Sequence, residues 1–277
     1  MNTADRAQLA LLYEVAGTPK PGNVDRARDH PDLRFEQFLA GAVGAGSALR
    51  AVPEPPLGET FERAVAGMAG AAGTNTQFGA LLMLVPLCYA AERGEGPATP
   101  EDARAVVQGT TVEDACAFYR AFEDVDVAVD DPPGGMDDLD VRRGADAVPA
   151  VRERGLTLSA LMKESAEHDG VAREWTRGFE RSFRAAEWLL DAEGSAGERA
   201  SGAFLRLLAG EVDTFVATTS GEAAAREATE RARAAVDGRE DPAALADEFV
   251  ERGINPGTTA DITAAALFLA LERGLEP

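Results

Sequence analysis

Three stretches of this 277-residue chain gather the side chains that seat phosphate or a hard metal ion. They are Thr18-Pro19-Lys20-Pro21-Gly22-Asn23-Val24-Asp25-Arg26, Gly73-Thr74-Asn75-Thr76 and Asn255-Pro256-Gly257-Thr258-Thr259. A helix N-terminus offers free N–H groups and the positive end of a dipole to an anion, and carboxylate oxygens take divalent cations. Each junction alone also has an ordinary reading, with Thr76 and Thr259 as caps, Asp261 as a dipole complement and Pro21-Gly22 as a turn. Their number is the signal.

Lys20 stands out because only two of the 27 basic residues are lysines. A compact ammonium inside a proline-stiffened loop suits a phosphate, where the planar fork of arginine would need different geometry. The other lysine, Lys163, lies four residues before Glu167 and reads as an exposed helical ion pair. His168-Asp169 reads either as a metal pair or as a cap, since a metal site of that kind wants more histidines than the His30 that remains. Arg173, Arg177, Arg181 and Arg184 share a helical face that could meet a polyphosphate, although pairing with carboxylates is the stronger reading in so acidic a chain.

The chain carries 48 acidic residues and a net charge of −21. Nucleic acids and anionic membrane surfaces are poor partners for such a surface, because binding them relies on positive charge. Strong acidity with almost no lysine is the habit of proteins from salt-rich cytoplasm, where dense salt screens self-repulsion. Cys88 and Cys116 are too few for a disulfide framework and read as small core residues. No signal peptide precedes the first motif, and the longest apolar run, Ala80 to Ala91, contains Pro86 and is too short to span a bilayer. A cytoplasmic protein is expected, with a homodimer left open.

The elements that must position these junctions are helical, for no stretch alternates like a strand. The expected architecture is an all-α, single-domain bundle over residues 1–277. The first helix runs from about Asp5 to Ala16, apolar almost all round, which leaves Glu14 as an interior carboxylate. Further helices are expected at Leu33 to Leu49, Glu59 to Ala72 and Gly79 to Glu92, then after the Thr99 and Thr111 caps. Asp124 to Asp146, centred on Pro132-Pro133-Gly134-Gly135, reads as a long surface loop. Thr157 caps a helix to Glu167, and one long helix after Gly170 carries Val171, Trp175, Phe179, Phe183, Ala186 and Leu190 on a core stripe. Helices at Glu198 to Ala217, Gly221 to Val236, Pro242 to Glu251 and Thr259 to Arg273 complete the chain.

The string Glu14 to Arg26 resembles the signature of the triphosphoribosyl-dephospho-CoA synthase family. The likeness continues in order through His30-Pro31-Asp32 with Phe35 and Phe38, Thr74-Asn75-Thr76 with Gly79, Asp213-Thr214, and Pro256-Gly257-Thr258-Thr259-Ala260-Asp261. Two departures stand out. Gln77-Phe78 replaces a His-Lys pair of bacterial members, and Ala217 to Gly221 replaces their Arg-Gly-Gly. The stretch Ser165 to Trp175 resembles an archaeal-type branch, whose acceptor could be other than dephospho-CoA.

What the resemblance implies is an all-α enzyme that moves the 5-triphosphoribosyl group of ATP to the 2′-hydroxyl of dephospho-CoA, expelling adenine. Breaking the glycosidic bond builds positive charge on the sugar, which calls for a carboxylate near C1′ and a base beside the hydroxyl. Asp25 and Asp261 are the candidates for that work. Glu14, Asp32 or Asp169 would hold Mg²⁺, while Lys20, Arg26 and the amides of Asn75, Thr76, Thr258 and Thr259 would grip phosphate. Two rivals use the same residues: a metal-dependent nucleotide phosphohydrolase, and a non-catalytic nucleotide-binding protein.

Overall fold

The computed structural model describes residues 1–94, 96–132 and 135–276, so Pro133 and Gly134, at the centre of the expected surface loop, lie outside the described residues. Among those described, the chain forms fifteen α-helices and no strand. Strand-like backbone pairing among the described residues is limited to the isolated bridges Asp25 with Arg28 and His30 with Leu33.

The last helix, α15 (Gly257–Glu272), organises the fold. Every residue from Thr258 to Leu271 is buried except Asp261, which is half-buried. A helix apolar on all sides belongs in a core rather than on a surface. Around it pack α1 (Thr3–Ala16), α4 (Phe78–Arg93), α10 (Glu180–Asp191) and α11 (Ala196–Gly210). The antiparallel pair α2 (Phe35–Leu49) and α3 (Leu57–Ala72) flanks α1 and α4. α5 (Pro100–Gln108) and α6 (Val112–Ala121) close that side, where Phe61, Phe78, Phe118 and Phe122 stack edge and face. A second apolar cluster of Phe204, Leu208, Val216, Phe249 and Ile254 joins α11 to α12 (Thr214–Ser220), α13 (Glu222–Val236) and α14 (Pro242–Glu251). Cys88 and Cys116 are free and buried, as their apolar setting implied.

Capping side chains set many of the helix starts. Asn2, Thr99, Thr111, Thr157, Ser195, Asp213 and Asp241 each accept a first-turn N–H, and such a contact is typically worth about 1 kcal/mol.

Several sequence expectations give way. The long helix after Gly170 is broken into α9 (Gly170–Arg177) and α10, because Gly178 and Phe179 both adopt left-handed backbone, with φ of 68° and 60°. For phenylalanine that conformation costs on the order of 1–3 kcal/mol. Complete burial of the Phe179 ring contributes about as much in the opposite direction. The buried carboxylate of Glu174 then caps the new helix, accepting from the N–H groups of Arg181 (3.2 Å) and Ser182 (3.0 Å) and from the Ser182 hydroxyl (2.8 Å). Glu198 to Ala217 is likewise two helices, parted at Glu211 to Asp213. Finally, the expected surface loop contains 3-10 turns at Asp137–Leu139 and Val141–Ala147, followed directly by α7 (Val148–Arg154), which opens on Pro149. α8 (Leu158–Ser165) ends before Glu167, which removes the helical spacing expected to pair it with the exposed Lys163.

Candidate active site at the helix ends

The loop after α1 turns its charges inward. Lys20 is fully buried, and its ammonium donates to Asn23 Oδ1 at 2.8 Å and to the Glu14 carboxylate, 5.7 Å from the centre of the Phe204 ring. Glu14 is 4 % exposed, and burial holds its pKa above the usual carboxylate range although Lys20 pulls the other way. Asp25 is also fully buried, and four donors surround it: the Thr18 hydroxyl (2.8 Å), the Lys20 and Ala27 N–H groups (3.1 and 2.8 Å) and the Arg28 guanidinium (3.3 Å). Asn23 Nδ2 reaches Asn255 Oδ1 at 2.8 Å, which fastens this loop to the turn leading into α15.

A second polar knot holds the first turn of α15. Asp213, 2 % exposed, accepts from Val216 N–H at 3.0 Å, from Thr259 N–H at 2.7 Å and from the Thr259 hydroxyl at 2.6 Å. One carboxylate therefore caps α12 and braces α15. Beside it, the Thr258 hydroxyl lies 3.0 Å from that of Thr214 and accepts from Phe215 N–H, while Gly170 N–H donates to Thr214 Oγ1 at 2.9 Å. The starts of α9, α12 and α15 are thus laced together.

Asp261 lies where these ends meet. Its pKa is raised well above the ordinary aspartate value, by burial first and then by the negative charges of Glu14, Asp213 and Asp169, with the Ala80 N–H opposing. That N–H belongs to the first turn of α4. A Cβ added to Gly79 would lie 2.0 Å from Asp261 Oδ2, so only glycine lets the helix start approach the carboxylate this closely. Asp169 caps α9 through Ala172 N–H at 2.7 Å, and its pKa is also raised, chiefly because protein crowds a carboxylate that still keeps a solvent-exposed face.

The same end of α4 carries unsatisfied polar groups. Asn75 Oδ1 accepts from Phe78 N–H at 3.2 Å and so caps the helix, but the buried Thr76 hydroxyl and both amide atoms of the buried Gln77 have no partner.

The whole chain, residues 1–277, matches the family of ATP:dephospho-CoA triphosphoribosyl transferases (CitG). The chain belongs to this family. In three dimensions it resembles a crystal structure from Archaeoglobus fulgidus, provisionally described as a triphosphoribosyl-dephospho-CoA synthase. The TM-score is 0.72 and the identity 30%, covering 88% of this chain and 100% of that one. No curated protein matches it in sequence.

For a triphosphoribosyl transferase the arrangement redistributes the residues singled out by sequence. Asp261, Asp169 and Glu14 share one electrostatic neighbourhood, with Asn75 and Thr76 on the helix end that Asp261 touches. Lys20 is not available to a phosphate, because its ammonium is enclosed and paired. Asp25, saturated with donors, shapes the loop. Arg26 is exposed beside Glu198 on α11, and Asp32 is exposed beside His30, so neither joins the acidic cluster. The trio Glu14, Asp32 and Asp169 therefore does not assemble, and among the described residues no three such side chains close on one point. The Thr259 amide and the Thr258 hydroxyl are taken up by internal bonds. Arg173 and Arg181 both turn to Glu211, the latter at 3.5 Å, as carboxylate pairing predicted. Next to Asp169 opens a cavity of about 450 Å³ lined by Asp130, Glu167, His168, Arg173, Thr214 and Thr218 among others. Sequence reasoning noted Asp213 only as part of a block and Gln77 only as a departure; neither entered the candidate site, since both owe their significance to partners, present or missing, that lie elsewhere in the chain.

Proposed function

We propose that the junction of α4 and α15 is where the triphosphoribosyl group leaves adenine, and that Asp261 is the carboxylate at the reacting carbon. The observation that carries this reading is the close approach of two helix ends: the Asp261 carboxylate sits so tightly on the first turn of α4 that a Cβ on Gly79 would lie 2.0 Å from its Oδ2, while burial and the negative charge of Glu14, Asp213 and Asp169 raise its pKa. Such a group suits two tasks. Ionised, it stabilises positive charge developing at C1′, and its raised pKa makes it a competent acceptor for the proton of the attacking hydroxyl. The bond from C1′ to adenine breaks as the bond to the acceptor oxygen forms, the pair of electrons leaving with the base.

A divalent cation fits the same cluster. Oxygen donors that repel one another want a hard cation, and Mg²⁺ is commonly held by one or two carboxylates with phosphate and water completing its shell. Asp261 with Asp169 or Glu14 would hold it, where it would neutralise the triphosphate. The positive end of the α4 dipole, entered through Asn75 and Thr76, complements phosphate oxygens. Lys20 and Asp25 act by fixing Glu14 and the loop rather than by touching substrate. The chain functions as one domain over residues 1–277, in the salt-rich cytoplasm that its acidity suits. No helix among the described residues is long and apolar enough to cross a membrane.

Incubation with ATP, Mg²⁺ and dephospho-CoA at high salt, followed by chromatography and mass spectrometry, tests the reading. Free adenine and an adduct heavier by the triphosphoribosyl group are expected. Phosphate release with intact adenosine would instead make the protein a hydrolase.

A further inference from the structure

Among the described residues, three of the four buried polar side-chain atoms without a partner sit side by side at the start of α4: Thr76 Oγ1, Gln77 Nε2 and Gln77 Oε1. Gln77 is 4 % exposed, and in this state its amide is folded back towards α2 and α3. A Cβ on Gly41 of α2 would lie 2.5 Å from Thr76 Oγ1, 3.1 Å from Met68 Cγ and 3.2 Å from Gln77 Oε1, so these polar atoms rest against carbon. Leaving buried donors and acceptors unmatched is costly, so a cluster of them at one helix end calls for a partner. Thr76 itself remains half-exposed, so the group borders solvent.

We propose that the Gln77 carboxamide, with the Thr76 hydroxyl beside it, forms the subsite that reads the adenine edge of ATP before the base departs. The inference rests on the transferase reading above and adds the residues that choose the base. A carboxamide presents one donor and one acceptor side by side, which matches the adjacent N6–H and ring-nitrogen acceptor of adenine in a two-point contact. Position agrees. Gln77 faces α2 and α3, whereas Asp261 approaches the same helix end from α15, so both border the first turn of α4. Base binding draws the amide out of its apolar niche, and the contacts it then gains repay the unmatched state.

The test uses the full chain and Gln77→Met, which keeps length and removes both polar atoms, with Gln77→Glu as a second variant that keeps the acceptor and removes the donor. Release of adenine from ATP and of guanine from GTP is measured by chromatography, binding of free adenine by calorimetry, and melting without ligand. The expected result for Gln77→Met is a kcat/KM for ATP about 10- to 100-fold lower, little change for GTP, and a melting temperature no lower than that of the parent. Gln77→Glu should fall between. An unchanged preference for ATP over GTP, with the parent releasing adenine, overturns the subsite and leaves the transferase standing. So does a lower melting temperature with unchanged preference, which would mark the amide as internal scaffolding. Adenine binding that depends on Gln77 in a parent that releases none upholds the subsite and removes the transferase reading. Neither binding nor release of adenine overturns both.

Discussion

The loop around Lys20 and the junction around Asp261 contain similar residue types and treat them oppositely. In the loop every buried charge has an answer: Lys20 meets Glu14 and Asn23, and Asp25 meets four donors. At the junction, burial and the negative charge of Glu14, Asp213 and Asp169 raise the pKa of Asp261, and an amide and a hydroxyl at the same helix start have no partner. Matched polar groups hold a shape, while unmatched ones keep free energy in reserve for a ligand. A sequence motif does not reveal which of these a given residue does, and the two regions should respond differently to the same kind of mutation.

The sharpest contrast comes from Lys20→Ala, which strands Glu14 in the core. Removing one partner of a buried pair typically costs about 3–5 kcal/mol, so a large fall in melting temperature is expected, with much of it recovered in Lys20→Met/Glu14→Leu. A fully stable Lys20→Ala with slowed turnover would return Lys20 to the phosphates.

Asp261→Asn should do the reverse. Steady-state turnover should drop by about 10²-fold or more. The free protein, however, should gain stability at neutral pH, because the native state holds a proton on Asp261 more tightly than the unfolded chain does. In the parent, that linkage favours folding below the ordinary aspartate pKa and is lost as pH rises through the raised native value. Thermal melts from pH 3 to 8 should therefore show the advantage of the variant growing with pH and vanishing in acid. A rise of about 2–4 °C at neutral pH corresponds to 1 kcal/mol. Equal loss of stability across the range would place Asp261 among the matched groups.

Asp213→Ala removes the brace between α12 and α15, and leaving the Val216 and Thr259 donors unpaired should cost about 1–3 kcal/mol by denaturant melting. Smallest of all, Arg26→Ala and Asp32→Ala should change stability by no more than about 0.5 kcal/mol and leave turnover near that of the parent, as exposed residues outside both regions.

Much of the fold was legible because caps and prolines act locally. Asp241-Pro242 announces α14 and Thr99-Pro100 announces α5, and both helices begin there. The break at Gly178 was hidden because Val171, Trp175, Phe179 and Phe183 keep helical spacing straight through it, and a left-handed phenylalanine has no signature of its own. α7 was masked by the acidic, proline-rich composition around it, although Val148-Pro149 was a usable start signal. For the site, the scarcity of lysine singled out position 20, but the sequence pointed its ammonium at a phosphate, whereas in the fold it is buried and donates to Glu14 and Asn23. The role of Asp213 was unreadable because Thr259 stands 46 residues away.

The near absence of lysine has a practical corollary. With Lys20 sealed inside the molecule and Lys163 open to water at the end of α8, an amine-reactive fluorophore has one accessible side chain to label, besides the N-terminal amine. Lys163 precedes His168 by five residues, so a dye there would watch the rim of the cavity beside Asp169 and report its filling without any engineered cysteine.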